Sequence, residues 1–323
     1  MNIVLPVLSL LLWQTGAPPR SDTTWPADFN ASFSGGGYHQ PQFYDGWQAG
    51  GDVGAHWYLR RPMVDDGSPL SMQAFLQRLD RLALSATTVG FSARDKLSFY
   101  EHRGHSESVA LSGLFYGHGL VLGGAIYYSR SYDFQHPSPL SDLTDDERHT
   151  TQAVYPELTL GVRSGTFECD ASYRYTTYFD DGKARSPRWG QAVLGLQDFF
   201  DMQTYWSGAI YTLVHGAGLS FDVEYFSSSQ LGIWLKGNIE SGVVYVNDQN
   251  TFNRKNISIG VGWWASNRLE LQFSVGVSTS QQDTSGSSTL TYGFGTVGVV
   301  VRAPRRYRAQ FVSPLADPLA QGR

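Results

Sequence analysis

Few residues in this 323-residue chain are spaced for catalysis. The densest group of proton-exchanging side chains is His102-Arg103-Gly104-His105-Ser106. A hydrolase needs its nucleophile and its base within hydrogen-bond reach of each other. Here Ser106 is adjacent to His105 rather than beside it on a shared face, and the two histidines flank a glycine expected to turn. The cluster reads as an exposed turn, and the chain as not an enzyme. Two histidines without further ligands do not make a metal site, so neither a metal nor a cofactor is expected. Asp142-Leu143-Thr144-Asp145-Asp146-Glu147 is rich in carboxylates but lacks the glycine and terminal glutamate of a calcium loop, and reads as a solvated acidic loop. The pairs Gly260/Gly262 and Gly293/Gly295 sit in strand patterns, where glycine allows curvature, not in a phosphate-binding turn. Cys169 is the only cysteine, so no intramolecular disulfide can form.

A second set of polar residues recurs at alternate positions. Glu168, Asp170 and Arg174 alternate with Phe167, Tyr173 and Phe179. Asp222 and Glu224 follow the same rule, as do Trp234, Lys236 and Glu240 against Leu231, Ile233 and Leu235. Arg268 and Glu270 oppose Leu269, Leu271 and Phe273. A helix would scatter these residues around its circumference, whereas a strand sorts them onto two faces. The polar face also takes in Glu157, Arg163, Arg254, Tyr58 and one of Trp206 or Trp264. Charges of both signs there have two physical readings. Across a water-filled pore they create a transverse field and set ion preference. On adjacent strands they pair and stiffen the wall. The mixture of signs argues against strong selectivity for anions or cations. Asn256, Ser258, Gly260 and Gly262 add a small, polar stretch to this face.

The elements that must position these faces are long strands in series. Alternation dominates from Trp47 to about Val301, with strands expected at 47–60, 81–92, 106–117, 120–133, 151–163, 166–179, 189–200, 203–214, 218–228, 231–247, 250–265, 268–280 and 289–302. Strands of a soluble sandwich run about 5–6 residues, whereas a tilted transmembrane strand needs about 9–11. A weakly alternating segment at Lys96–Arg103 restores an even count, giving fourteen strands, with twelve and sixteen as the neighbouring alternatives. Short connections at His118-Gly119, Ser164-Gly165, Asp201, Ser229-Gln230 and Ser266-Asn267 take every second slot, and the longer ones fall between them. Asp65–Arg81 departs from the rule: Ser68-Pro69 is a helix-start pair and Leu70, Ala74, Phe75 and Leu79 have helical spacing.

Composition agrees with one wet face and one lipid face. Only 16% of residues are charged, 14% are aromatic, 35 are glycine and the net charge is −5. Mean hydropathy is −0.27, which excludes a helical membrane protein, and no basic excess points to nucleic acid. The apolar run Ile3–Trp13 is too short to span a bilayer as a helix, which takes about 20 residues. Followed by Thr15-Gly16-Ala17, it reads as an export signal. The expected organisation is therefore a signal peptide (1–17), a flexible lead-in (18–46), a transmembrane barrel (47–302) and a tail (303–323).

The dyad strands Val53–Leu59, Phe167–Phe179, Leu231–Tyr245 and Leu269–Val277 make region 47–302 resemble the bacterial outer-membrane β-barrels, porin-like in architecture. The resemblance implies an all-β, antiparallel, up-and-down transmembrane barrel in the outer membrane of a Gram-negative cell, with lipid and the barrel-assembly machinery as partners. It carries no motif and so transfers no functional residue. Such barrels usually end on a strand with a terminal aromatic residue, whereas here alternation stops near Val301 and a Pro- and Arg-containing tail follows. Three functions are consistent with it: a channel for hydrophilic solutes, the barrel of a polysaccharide or polymer exporter with a periplasmic partner, and a non-conducting structural or surface-interaction barrel.

Overall fold

The computed structural model describes residues 27–40, 44–58, 81–95, 101–136, 147–180, 183–200, 203–213, 216–228, 230–244, 250–265, 269–283 and 288–303. They form fourteen strands: β1 (Ala27–Gln40), β2 (Tyr44–Tyr58), β3 (Arg81–Asp95), β4 (Glu101–Gly117), β5 (Leu120–His136), β6 (Glu147–Ser164), β7 (Phe167–Asp180), β8 (Lys183–Phe199), β9 (Thr204–Leu213), β10 (Gly216–Ser228), β11 (Leu231–Val244), β12 (Asn250–Trp264), β13 (Leu269–Asp283) and β14 (Ser288–Ala303). Each strand pairs antiparallel with its sequence neighbours, and β1 pairs with β14, so the sheet closes on itself. The fold is an all-β, up-and-down barrel of fourteen strands.

The register keeps one face inward around the whole circuit. Cross-strand partners run from Trp234 through Gly260, Ser274, Thr296, Gly36 and Gln48, all on the inner face. The opposite face is apolar and exposed. Leu84, Leu111, Ile126, Leu158, Ile210, Ile233, Ile259 and Val275 lie on it. Near the end carrying the short turns, Trp57, Phe115, Phe167, Phe200, Tyr225 and Trp263 project outward from successive hairpins. An apolar belt bounded by an aromatic girdle is the exterior of a barrel that sits in lipid.

Turn chemistry sets the register of the hairpins. His118 and Gly119 both adopt positive φ, 50° and 82°, which a two-residue type I′ turn demands. That turn fixes Gly117 opposite Leu120 and every pair above it in β4 and β5. Gly165, at φ 61°, opens the two-residue turn between Ser164 and Phe167.

Two sequence expectations are corrected here. Residues 27–40, assigned to a flexible lead-in, form β1, and the barrel therefore starts before Trp47. The segment missed has its own alternation: Ala31 and Phe33 face out, opposed by Ser32 and Ser34. The expected turn at Gly104 is absent. His102–Ser106 lies inside β4, an unbroken strand over Glu101–Gly117, so residues 101–103 of the expected 96–103 strand belong to β4, and residues 96–100 lie outside the described residues. The even count thus comes from β1. The expected export signal, residues 65–80 of the expected Asp65–Arg81 helical segment, residues 142–146 of the expected Asp142–Glu147 loop, Arg268 and the tail from 304 lie outside the described residues, while Arg81 and Glu147 open β3 and β6. The 59–80 connection joins β2 to β3 at the end that otherwise carries the short turns.

A charge placed on the outer face is expected to be costly. Ile126→Arg or Ile259→Arg should destabilise the barrel in lipid vesicles by roughly 2–4 kcal/mol. Ser32→Arg, on the inner face, should cost far less. Urea unfolding in the same vesicles makes the comparison.

Candidate functional site: the inner wall

The structure places Glu168, Asp170 and Arg174 of β7, Asp222 and Glu224 of β10, Trp234, Lys236 and Glu240 of β11, and Glu270 of β13 on the inner face. Phe167, Tyr173, Phe179, Leu231, Ile233, Leu235, Leu269, Leu271 and Phe273 lie on the outer face of the same strands. Of the two tryptophans weighed for the lumen, Trp264 is inward and buried. Trp206 is outward, its ring stacked on Phe200 at 5.7 Å. β9 takes its odd-numbered residues inward, which turns Trp206 to lipid.

The inner charges differ sharply in surroundings. Arg174 is 2% exposed; its Nη2 and Nε donate to Glu157 Oε2 at 2.8 and 3.0 Å. Its guanidinium lies 4.5 Å from the Tyr127 ring centre and 5.0 Å from that of Tyr155, and the two rings stack at 5.2 Å. This pair is desolvated and held by aromatic faces on β5 and β6. Glu240 accepts from Tyr211 Oη at 2.9 Å and pairs with Arg254 at 3.6 Å. Gln197 links β8 to both neighbours, donating to Glu168 at 3.0 Å and accepting from Tyr205 at 2.8 Å. Lys236, by contrast, is half exposed while bonded to Asp222 at 2.8 Å. It reaches into open space from the middle of the wall. An exposed pair of this kind contributes little to stability, about 0–1 kcal/mol, so Lys236 shapes the potential of the lumen more than it holds the fold.

The large inner aromatics lie flat, and glycines make the room. Tyr211 is cross-strand from Gly218, and a Cβ at Gly218 would fall inside its ring. Lying over that glycine, Tyr211 crosses β10 to reach Glu240 on β11. Trp234 does the same over Gly260 of β12. Phe91 over Gly104 and Phe294 over Gly276 repeat the arrangement. Trp234 is consequently only 6% exposed, its indole packed on the wall rather than standing into the lumen.

The other side of the wall was not recognised from the sequence. On β1 to β4 the inner face carries Ser32, Ser34, Gly36, Gln48, Gly50, Asp52, Ser85, Thr87, Ser106, Ser108 and Ser112, beside the apolar Ala83, Val89, Phe91, Ala110 and Leu114. Ser32 donates to Asp52, and Ser274 and Thr296 share a hydrogen bond of 2.6 Å. Inward-facing Ser34 and Gln48 are exposed. A recess of about 120 Å³ is sunk into this wall, lined by Ser32, Ser34, Gln48, Asp52, Thr87 and Thr296. The lumen is thus lopsided, with bulky paired groups on β6 to β11 and small hydroxyl-bearing groups on β1 to β4. The findable signal was the inward series Ser106, Ser108, Ala110 and Ser112 at alternate positions of β4.

Removing one member of the buried pair should cost far more than removing both. Arg174→Met is expected to destabilise by about 3–5 kcal/mol, leaving Glu157 charged and unpaired. The double variant Arg174→Met/Glu157→Met should recover most of that loss, as read by denaturant midpoints in vesicles.

No protein-family model and no curated relative matches the sequence. Solved structures do match the fold. The toluene transporter TodX of P. putida is 10% identical, with 91% of this chain and 92% of that chain covered and a TM-score of 0.53. A FadL homologue of Pseudomonas aeruginosa is 8% identical over 87% and 90% of the two chains, at 0.52. The monoaromatic hydrocarbon channel CymD is 7% identical over 89% and 90%, at 0.53. The chain has the fold of the bacterial outer-membrane β-barrels.

Proposed function

We propose that the protein is an outer-membrane channel that passes small hydrophilic solutes through the lumen, between the hydroxyl-lined wall of β1–β4 and the ionic wall of β6–β11. The observation that carries this reading is the exposure of Ser34 and Gln48 on the inner face of a closed barrel. Side chains just fill an eight-stranded barrel, whereas barrels of about 16–18 strands enclose an aqueous channel. Fourteen strands, four of them lined largely by glycine and serine, fall on the open side of that range. The flat packing of Tyr211, Trp234, Phe91 and Phe294 keeps large rings out of the path. Acidic and basic groups both line it, which suits a pore of modest selectivity rather than a filter for one ion. The belt and girdle support residence in the outer membrane, with lipid and the assembly machinery as partners and no enzymatic role.

TodX and CymD are described as a toluene transporter and a hydrocarbon channel. The inner wall here offers hydroxyl, amide and charged groups to a solute, which favours hydrophilic cargo over a hydrocarbon. Polymer export would require a wider path, and a non-conducting barrel would require a closed one.

Single-channel recording in a planar bilayer tests the proposal. The refolded protein should give ohmic steps. Ser34→Trp/Gln48→Trp should lower the step size by roughly half or more by filling the open side. Lys236→Glu should shift the reversal potential in a salt gradient toward cation preference. Silence of the folded, inserted protein would overturn the channel reading. Toluene uptake by vesicles that carry no ion current would move the assignment to apolar cargo.

A further inference from the structure

The apolar belt ends differently around the barrel. At the end opposite the short turns, β9 and β13 follow their last outward apolar residues with Thr212 and Thr279. On β3, β4 and β5 the outward positions near that end carry Arg94, Arg103, His105 and Arg130, with Tyr132 and Phe134 beyond Arg130 on β5. Arg94 and Arg103 are exposed, and the His105 side chain is 46% exposed. Directly below them toward the belt lie Val109, Leu111, Ile126 and Tyr128, all exposed to lipid.

The basic groups are arranged rather than scattered. The Arg130 guanidinium lies 4.4 Å from the Tyr132 ring centre, and His105 stacks on the same ring at 4.6 Å with 17° between planes. His105 and Tyr132 are cross-strand partners, as are Glu107 and Arg130. The carboxylate of Glu107 sits 3.5 Å from His105 Nε2 on the belt side of the cluster. Arg130 Nε is buried and has no hydrogen-bond partner among the described residues. Stacking restricts a guanidinium without using its N–H donors. Arginine forks match the oxygens of a phosphate.

We propose that Arg94, Arg103, His105 and Arg130 form a docking site for the phosphorylated headgroup of a membrane lipid, whose acyl chains lie along Val109, Leu111, Ile126 and Tyr128. A soluble phosphate would gain nothing from the adjoining apolar strip. A lipid places its phosphates at the edge of the hydrocarbon and its chains on that strip. With the short turns on the periplasmic side, as in the outer-membrane barrels, these residues sit at the edge of the outward leaflet.

The probes are diphosphorylated lipid A and the same lipid stripped of its phosphates, bound to the delipidated full chain and read by native mass spectrometry. The phosphorylated form should bind more tightly. Arg103→Gln and Arg130→Gln should each weaken it about fivefold, as one basic residue near a lipid surface is worth. Arg103→Lys should keep most of the binding, and millimolar inorganic phosphate should not displace the lipid. Each variant is checked for folded, heat-modifiable migration. Equal binding of the two lipids, unchanged binding by the glutamine variants, or displacement by inorganic phosphate would overturn the proposal. The two readings fail separately: silent conductance with intact lipid binding removes the channel, and unchanged binding beside a working pore removes this site.

Discussion

Hydrocarbon offers no hydrogen-bond partner to a backbone amide, and the rest of this molecule is organised by that constraint. Every strand must be paired on both edges, so the sheet must close, and β1 must meet β14 across nearly the whole length of the chain. Closure then divides each strand into two environments. The outer positions take Leu, Ile, Val and rings, and the inner positions take whatever a confined, wet space tolerates. The period of two in the sequence is the imprint of this division, and the two-residue turns at His118-Gly119 and Gly165-Thr166 lock its phase.

Inside, the closed wall sets a second problem. Charges on adjacent strands are forced close together where side chains pack against the wall and exclude water, and they survive there by pairing. Arg174 and Glu157 solve it fully, with two tyrosine faces completing the shell. Tyr211, Glu240 and Arg254 solve it across three strands, through the gap left by Gly218. These pairs occupy one side of the lumen, and Gly, Ser and Thr occupy the other. Structure and permeation are thereby separated. The ionic side holds the wall, the hydroxyl side leaves the path, and Lys236 belongs to the wall by its bond to Asp222 and to the path by its exposure.

Much of this was legible in the sequence because alternation is a local property. The strands containing Phe167, Leu231 and Leu269 could be sorted into faces by counting. β1 escaped because its outward face dwindles to Gly35 and Gly37, so the apolar signal fades halfway along the strand. The glycine in His102–Ser106 suggested a turn, yet Gly104 sits in mid-strand under the ring of Phe91. Trp206 could not be placed until the register of β9 was known. The Arg174–Glu157 contact was countable from the Gly165 turn, since a hairpin register fixes each opposite pair. The pairing of β1 with β14 was not, because nothing local records it. The basic cluster on β3–β5 was also hidden, because three strands must be aligned before Arg94, Arg103, His105 and Arg130 share a level.

The most direct test of the two-faced wall is cysteine accessibility in lipid vesicles, in a Cys169→Ser background. Ser34→Cys and Lys236→Cys should react with a positively charged, water-soluble methanethiosulfonate, because both positions open to the lumen. Ile126→Cys and Ile233→Cys should stay unmodified under the same conditions, shielded by lipid. Labelling at Ile126 and Ile233 with protection at Ser34 and Lys236 would invert the faces and contradict a wet lumen.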